Sequence, residues 1–94
     1  MLELGEKAIN SATVIAAAST IVRPYNTKRT YILLINDSDE TIYLGMGVPA
    51  VMNVGPRLNA GGGNLERNPE KPFYGPIYGI CASGAKNLCW EEEE

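Results

Sequence analysis

Ten glycines and six prolines break this 94-residue chain into short segments. Proline removes a backbone donor and glycine weakens the interior of any helix or strand, so long regular elements are disfavoured. The runs between the breaks are rich in Val, Ile, Thr and Tyr, residues suited to a pleated surface. Turn clusters recur about every eight to twelve residues, a spacing that predicts an all-β fold. We read a single small antiparallel β-sandwich or barrel of about seven to eight short strands. At this length there is one core and one domain, residues 1–94, with 1–7 and 91–94 as flexible or assembly-contacting ends.

Thr30 to Asn36 is the clearest strand. Tyr31, Leu33 and Ile35 share one face and Ile32 and Leu34 the other, which predicts a central strand covered on both sides. The polar Asp37–Glu40 segment then reads as the turn of a β-hairpin, with Thr41–Gly45 returning. Ile77–Ala82 is a second central strand, and a turn near Ala85 leads back along Asn87–Trp90. Ala8–Val22 is more ambiguous. Its β-branched residues favour two strands, near Thr13–Ala16 and Thr20–Val22, whereas Ala16-Ala17-Ala18 favours one helix. Ile32, Leu34, Leu44, Ile80 and Trp90 are the expected core.

Composition excludes several kinds of chemistry. There is no histidine, so His-based triads, His–metal sites and imidazole pH switches are absent. The net charge of −3 argues against a phosphate-binding surface and hence against nucleic acid as a partner. No apolar run approaches the roughly 18–20 residues that span a bilayer, and the start of the chain lacks the pattern of a signal peptide. We therefore expect a soluble protein made in the cytoplasm, with no membrane partner. Cys81 and Cys89 are the only cysteines, and a hairpin centred near Ala85 would set them opposite each other. They are then either a disulfide or two buried thiols filling a sheet face. Gly61-Gly62-Gly63 lacks the spacing of a phosphate loop and reads as a tight turn needing positive φ. The carboxylates fall in turns and in the Glu91–Glu94 tail, where nothing converges. The chain reads as no enzyme, with no catalytic, cofactor or metal residues.

One loop is unusually apolar. Val48-Pro49-Ala50-Val51-Met52-Asn53-Val54 carries five apolar side chains between two Gly/Pro turns. Soluble monomers avoid exposing such patches, so Val48, Val51, Met52 and Val54 are expected to contact another subunit or shell. Arg57, and Arg23 and Arg29 from the basic loop Arg23–Arg29, are expected at the polar rim.

The order of motifs adds a resemblance. Tyr25-Asn26-Thr27-Lys28-Arg29 feeds Tyr31-Ile32-Leu33-Leu34-Ile35-Asn36, followed by Ile42-Tyr43-Leu44-Gly45-Met46-Gly47-Val48-Pro49-Ala50. Then come Arg57 to Glu66 with the triple glycine, and Gly75-Pro76-Ile77-Tyr78-Gly79-Ile80. Over residues 23–82 this resembles small β-rich structural proteins in the virions of tailed bacteriophages. The resemblance implies a capsid decoration or head-stabilising protein located in the virion. It also implies the major capsid protein or other virion proteins as partners, and a homo-oligomer, by preference a trimer. It transfers no catalytic residue, and neither the cysteine pair nor the acidic tail belongs to its pattern. The alternative is a small ligand- or glycan-binding β-module for host attachment in a tail or head fibre. Tyr25, Tyr43, Phe73, Tyr74, Tyr78 and Trp90 would then supply stacking surfaces.

Overall fold

The structure, a computed structural model, describes residues 8–94. The expected end segment 1–7 lies outside the described residues. Eight strands follow in order: β1 (Ala8–Ile15), β2 (Thr20–Arg23), β3 (Tyr31–Asn36), β4 (Ile42–Met46), β5 (Arg57–Leu58), β6 (Asn64–Arg67), β7 (Ile77–Cys81) and β8 (Lys86–Glu93). They form two four-stranded sheets, β1-β8-β3-β6 and β2-β7-β4-β5, and every pairing is antiparallel. The chain is an all-β sandwich, as its turn spacing predicts. The ambiguous opening resolves into β1 and β2.

Strand alternation builds the core. Ile32 and Leu34 from β3, and Leu88 and Trp90 from β8, face inward from the first sheet. Ile42 and Leu44 from β4, with Ile77 and Cys81 from β7, meet them from the second. Ile15, Val22 and Leu58 complete the cluster. Ile80 is buried but has outer parity on β7 and lies outside this cluster. Gly79 faces inward beside Ile15 and Ile42, where an added Cβ would lie 3.0 Å from the Ile15 side chain. Gly61 and Gly62 adopt φ of 73° and 118°, as a tight turn demands.

Two pairings differ from expectation. β3 and β4 belong to opposite sheets, so Asp37–Glu40 is an arch between layers and not a hairpin turn. Asn36 anchors the arch from within. Its Nδ2 donates to the Glu40 carbonyl at 2.7 Å and to the Leu58 carbonyl at 2.8 Å, and its Oδ1 accepts from Ser38 Oγ at 2.6 Å. These bonds satisfy carbonyls that a crossing chain would otherwise leave unpaired. Likewise β7 and β8 lie in opposite sheets. Cys81 therefore pairs with Ile42 inside the core, whereas Cys89 lies between Ala12 and Ile35 with outer parity on the first sheet. The two cysteines are free and are not cross-strand neighbours. Nor is β3 covered on both sides: Tyr31, Leu33 and Ile35 are only half-buried, lying on the open outer face.

Candidate interaction surface

The β4–β5 loop folds back over the outer face of the second sheet. Gly45 makes this possible, because a Cβ there would collide with backbone atoms of Val48, Pro49 and Ala50. Ala50 is buried, and its amide donates to Ser19 Oγ at 2.8 Å, tying the loop to the residue before β2. A turn closes the loop's far side, with Val54 N donating to the Val51 carbonyl at 3.1 Å. Asn53 and Gly55 adopt positive φ there. The Leu44 amide then donates to the Pro56 carbonyl at 2.9 Å, returning the chain to the sheet edge. The loop is thus held at both ends and near its middle.

Its outer side is apolar. Val48, Val51 and Val54 are each more than half exposed, while Met52 is half-buried. Ile21 on β2, two residues after Ser19, has outer parity and is also more than half exposed. It lies opposite Tyr78, and Tyr43 lies opposite Ile80 and Arg57. The half-buried tyrosines Tyr43 and Tyr78 thus belong to the same outer face as the loop and Ile21. Arg57 is exposed on that face and available at its margin.

Arg23 and Arg29 are placed elsewhere and do not form a rim. Glu92 is 1% exposed and reaches the sandwich interior at the end where β2 finishes and β3 begins. Its Oε1 accepts from Arg23 Nε at 3.0 Å and Nη2 at 2.6 Å, and its Oε2 accepts from Arg29 Nε at 2.5 Å. Arg29 is itself buried, and its remaining donors reach the carbonyls of Phe73, Gly75 and Pro24 at 2.9, 3.0 and 2.9 Å. Arg23 also stacks on Trp90, 4.3 Å from the ring centroid. Burial acts most strongly on the Glu92 carboxyl and raises its pKa. The hydrogen bonds and charges of both arginines outweigh it and hold the group below its ordinary value. This buried triad is an ionic plug that closes one end of the core. Residues 91–93 are accordingly strand and not a loose end, with β8 paired to β1 on one side and β3 on the other.

Ile21 and Glu92 are the residues that sequence reading left out of these two sites. Leu88, Trp90 and Glu92 alternate in strand period, a pattern that would have turned Glu92 inward. The aromatic residues proposed for stacking are dispersed. Trp90 is buried beneath Arg23 and Phe73 packs on the core, whereas Tyr25 and Tyr74 are exposed. Comparison with known proteins finds no family model, no curated protein and no solved structure that matches the chain.

Proposed function

We propose that this chain is a non-enzymatic structural component of a tailed-phage virion, a decoration or head-stabilising protein that binds the shell through its β4–β5 loop. The single observation that carries the reading is an apolar loop fixed in place yet turned outward. Val48, Val51 and Val54 are more than half exposed although Ala50, between them, is buried and hydrogen-bonded. A loop already ordered before contact loses little entropy on binding. The resemblance over residues 23–82 supports the setting: the virion as location, the major capsid protein or another virion protein as partner, and a homo-oligomer. Arg57 supplies the polar margin.

The test is binding to undecorated shells alongside sedimentation of the free protein. Val51→Asp places a charge in the contact and is expected to weaken shell binding by several kcal/mol, with an unchanged unfolding midpoint. Gly45→Ala displaces the loop from beneath and should also weaken binding. Wild-type protein that ignores the shells, or a Val51→Asp variant that binds as well as wild type, overturns the proposal.

A second reading, a glycan-binding module, has one observation in its favour. Tyr25 and Tyr74 are both exposed and lie on neighbouring segments, with Asn26 N donating to the Tyr74 carbonyl at 2.8 Å. Binding to host-surface polysaccharide that survives Val51→Asp but is lost in Tyr74→Ala would carry that reading instead.

A further inference from the structure

Among the described residues the two sheets have four edge strands, β1 and β6 in one and β2 and β5 in the other. Unpaired edges invite strand addition, and proteins usually shorten, bend or charge them. Three of these edges are treated in that way. β2 is four residues long, has a register shift between Ile21 and Arg23, and is followed by Pro24. β5 is two residues long and preceded by Pro56. β6 is four residues long and carries Glu66 and Arg67. β1 has no such protection. It runs eight residues with no Pro, Gly or charged side chain, and its register against β8 is unbroken from Ala8–Glu93 to Ile15–Lys86. Among the described residues nothing pairs with its other side. Two of its apolar side chains also lie open, Val14 being 62% and Ile9 50% exposed, while Ile15 enters the core.

We propose that β1 pairs antiparallel with β1 of a second copy about a twofold axis, joining the two first sheets into one continuous sheet. The side chains of β1 and the charges of β8 suit this occupant. Directly opposed residues share a face, so a register centred on Ser11 keeps inner faces with inner and outer with outer. Ala8 then lies opposite Val14 of the second copy, Ile9 opposite its Thr13, and Asn10 opposite its Ala12. Both exposed apolar residues gain a small neighbour. Charge is compatible as well. β1 is neutral, while the neighbouring β8 is acidic at one end, with Glu91 and Glu93, and basic at the other, with Lys86. Antiparallel pairing sends the acidic ends of the two β8 strands in opposite directions. The row through Glu93 and Ala8 therefore continues through Val14 to Asn87 of the second copy, beside its Lys86. A parallel arrangement would instead bring the acidic ends together.

This interface is independent of the β4–β5 loop, and its twofold differs from the trimer implied by resemblance. Sedimentation of the full chain at micromolar to high micromolar concentration tests it. Wild type should be dimeric. Ser11→Lys and Ser11→Asp each place like charges opposite one another at the axis and should weaken self-association roughly 10- to 100-fold. Ser11 is exposed, so at concentrations where wild type is monomeric both variants should keep its unfolding midpoint. Mixed in equal amounts, the Lys and Asp variants should restore a dimer. A monomeric or trimeric wild type overturns the proposal, as does a dimer that either single variant leaves intact. Failure of the mixture to reassociate also overturns it, because the register is then wrong. A strand from another protein, or the chain's own residues 1–7, occupying this edge would leave the wild type monomeric.

Discussion

Replacing Glu92 by alanine removes the centre of the ionic plug, and the structure fixes the size of the effect. Three ionic hydrogen bonds are lost, two from Arg23 and one from Arg29. At about 1.5–3 kcal/mol each they would sum to more than is lost in practice, because the carboxylate's own burial is costly and its removal recovers that cost. What remains is an uncompensated guanidinium. The Arg29 side chain is 1% exposed and cannot swing into water without releasing the carbonyls of Pro24, Phe73 and Gly75. Breaking such a buried pair costs about 3–5 kcal/mol. A domain of this length has about 5–14 kcal/mol in total, so Glu92→Ala removes a large share of it. Trp90, the single tryptophan, lies directly under Arg23 and reports the transition by fluorescence. In urea the midpoint should fall by roughly 1–3 M with the slope unchanged.

The same group makes stability pH-dependent. Glu92 titrates below its ordinary value of 4.5 in the folded chain, so the unfolded chain binds its proton first as pH falls. The contribution is complete above that value and disappears as pH drops through the lower, folded pKa. Glu92→Gln should lose stability at neutral pH and show a flatter profile in acid. A Glu92→Ala variant within about 1 kcal/mol of wild type would refute the reasoning, since it would mean that water reaches Arg29 freely.

The cysteines should behave differently from each other. Cys89, half-buried at a shallow outer groove of about 310 Å³ with Leu33 and Ile35, should be alkylated in the native protein, whereas Cys81, fully buried, should react only on unfolding. Equal labelling of both by mass spectrometry would contradict their placement. Tyr31 donates to Glu66 Oε2 at 2.6 Å, and this bond, with lesser help from burial and neighbouring carboxylates, pushes its pKa up to about 12. Ultraviolet difference titration should show one tyrosine ionising late in wild type and earlier in Glu66→Gln.

Strand positions were legible in the sequence because they depend on local pattern. Tyr31–Asn36 and Ile77–Cys81 are short runs of mostly apolar residues, the first ended by the polar Asp37–Glu40 segment and the second set between Pro76 and Gly84. Strand partners were not legible, for a physical reason. Successive strands mostly change sheet: β1 to β2, β2 to β3, β3 to β4, β5 to β6, β6 to β7 and β7 to β8 all cross between layers. Asp37–Glu40 and Ser83–Ala85 have the polar, small composition of hairpin turns, and that composition serves an arch equally well. What distinguishes the arch is Asn36, whose side chain bonds to Leu58, twenty-two residues away. The ion triad was hidden in the same manner, since Arg23 and Glu92 meet only once the second and last strands enclose the same core. The apolar loop was legible because five apolar residues between turns are a local anomaly. Its anchor at Ser19 was not.

The two surfaces have consequences for one another. A twofold perpendicular to the joined first sheets leaves both second sheets on the same side. The two β4–β5 loops of a dimer then face in one direction, presenting Val48, Val51 and Val54 from each copy to a single broad partner. The shell lattice proposed above would be such a partner. Two linked weak contacts can exceed one by about 10²–10⁴ in apparent affinity without any new contact, provided that both reach their sites together. Ser11→Lys should therefore weaken shell binding markedly although its loop is untouched. Its binding should match that of a single wild-type subunit, with the loss residing in the dissociation rate. If Ser11→Lys is monomeric yet leaves the shell as slowly as wild type, the loops act singly and the edge pairing serves some other purpose. If Val51→Asp dimerises normally but fails on the shell, the division between an edge that joins copies and a loop that seats them is upheld.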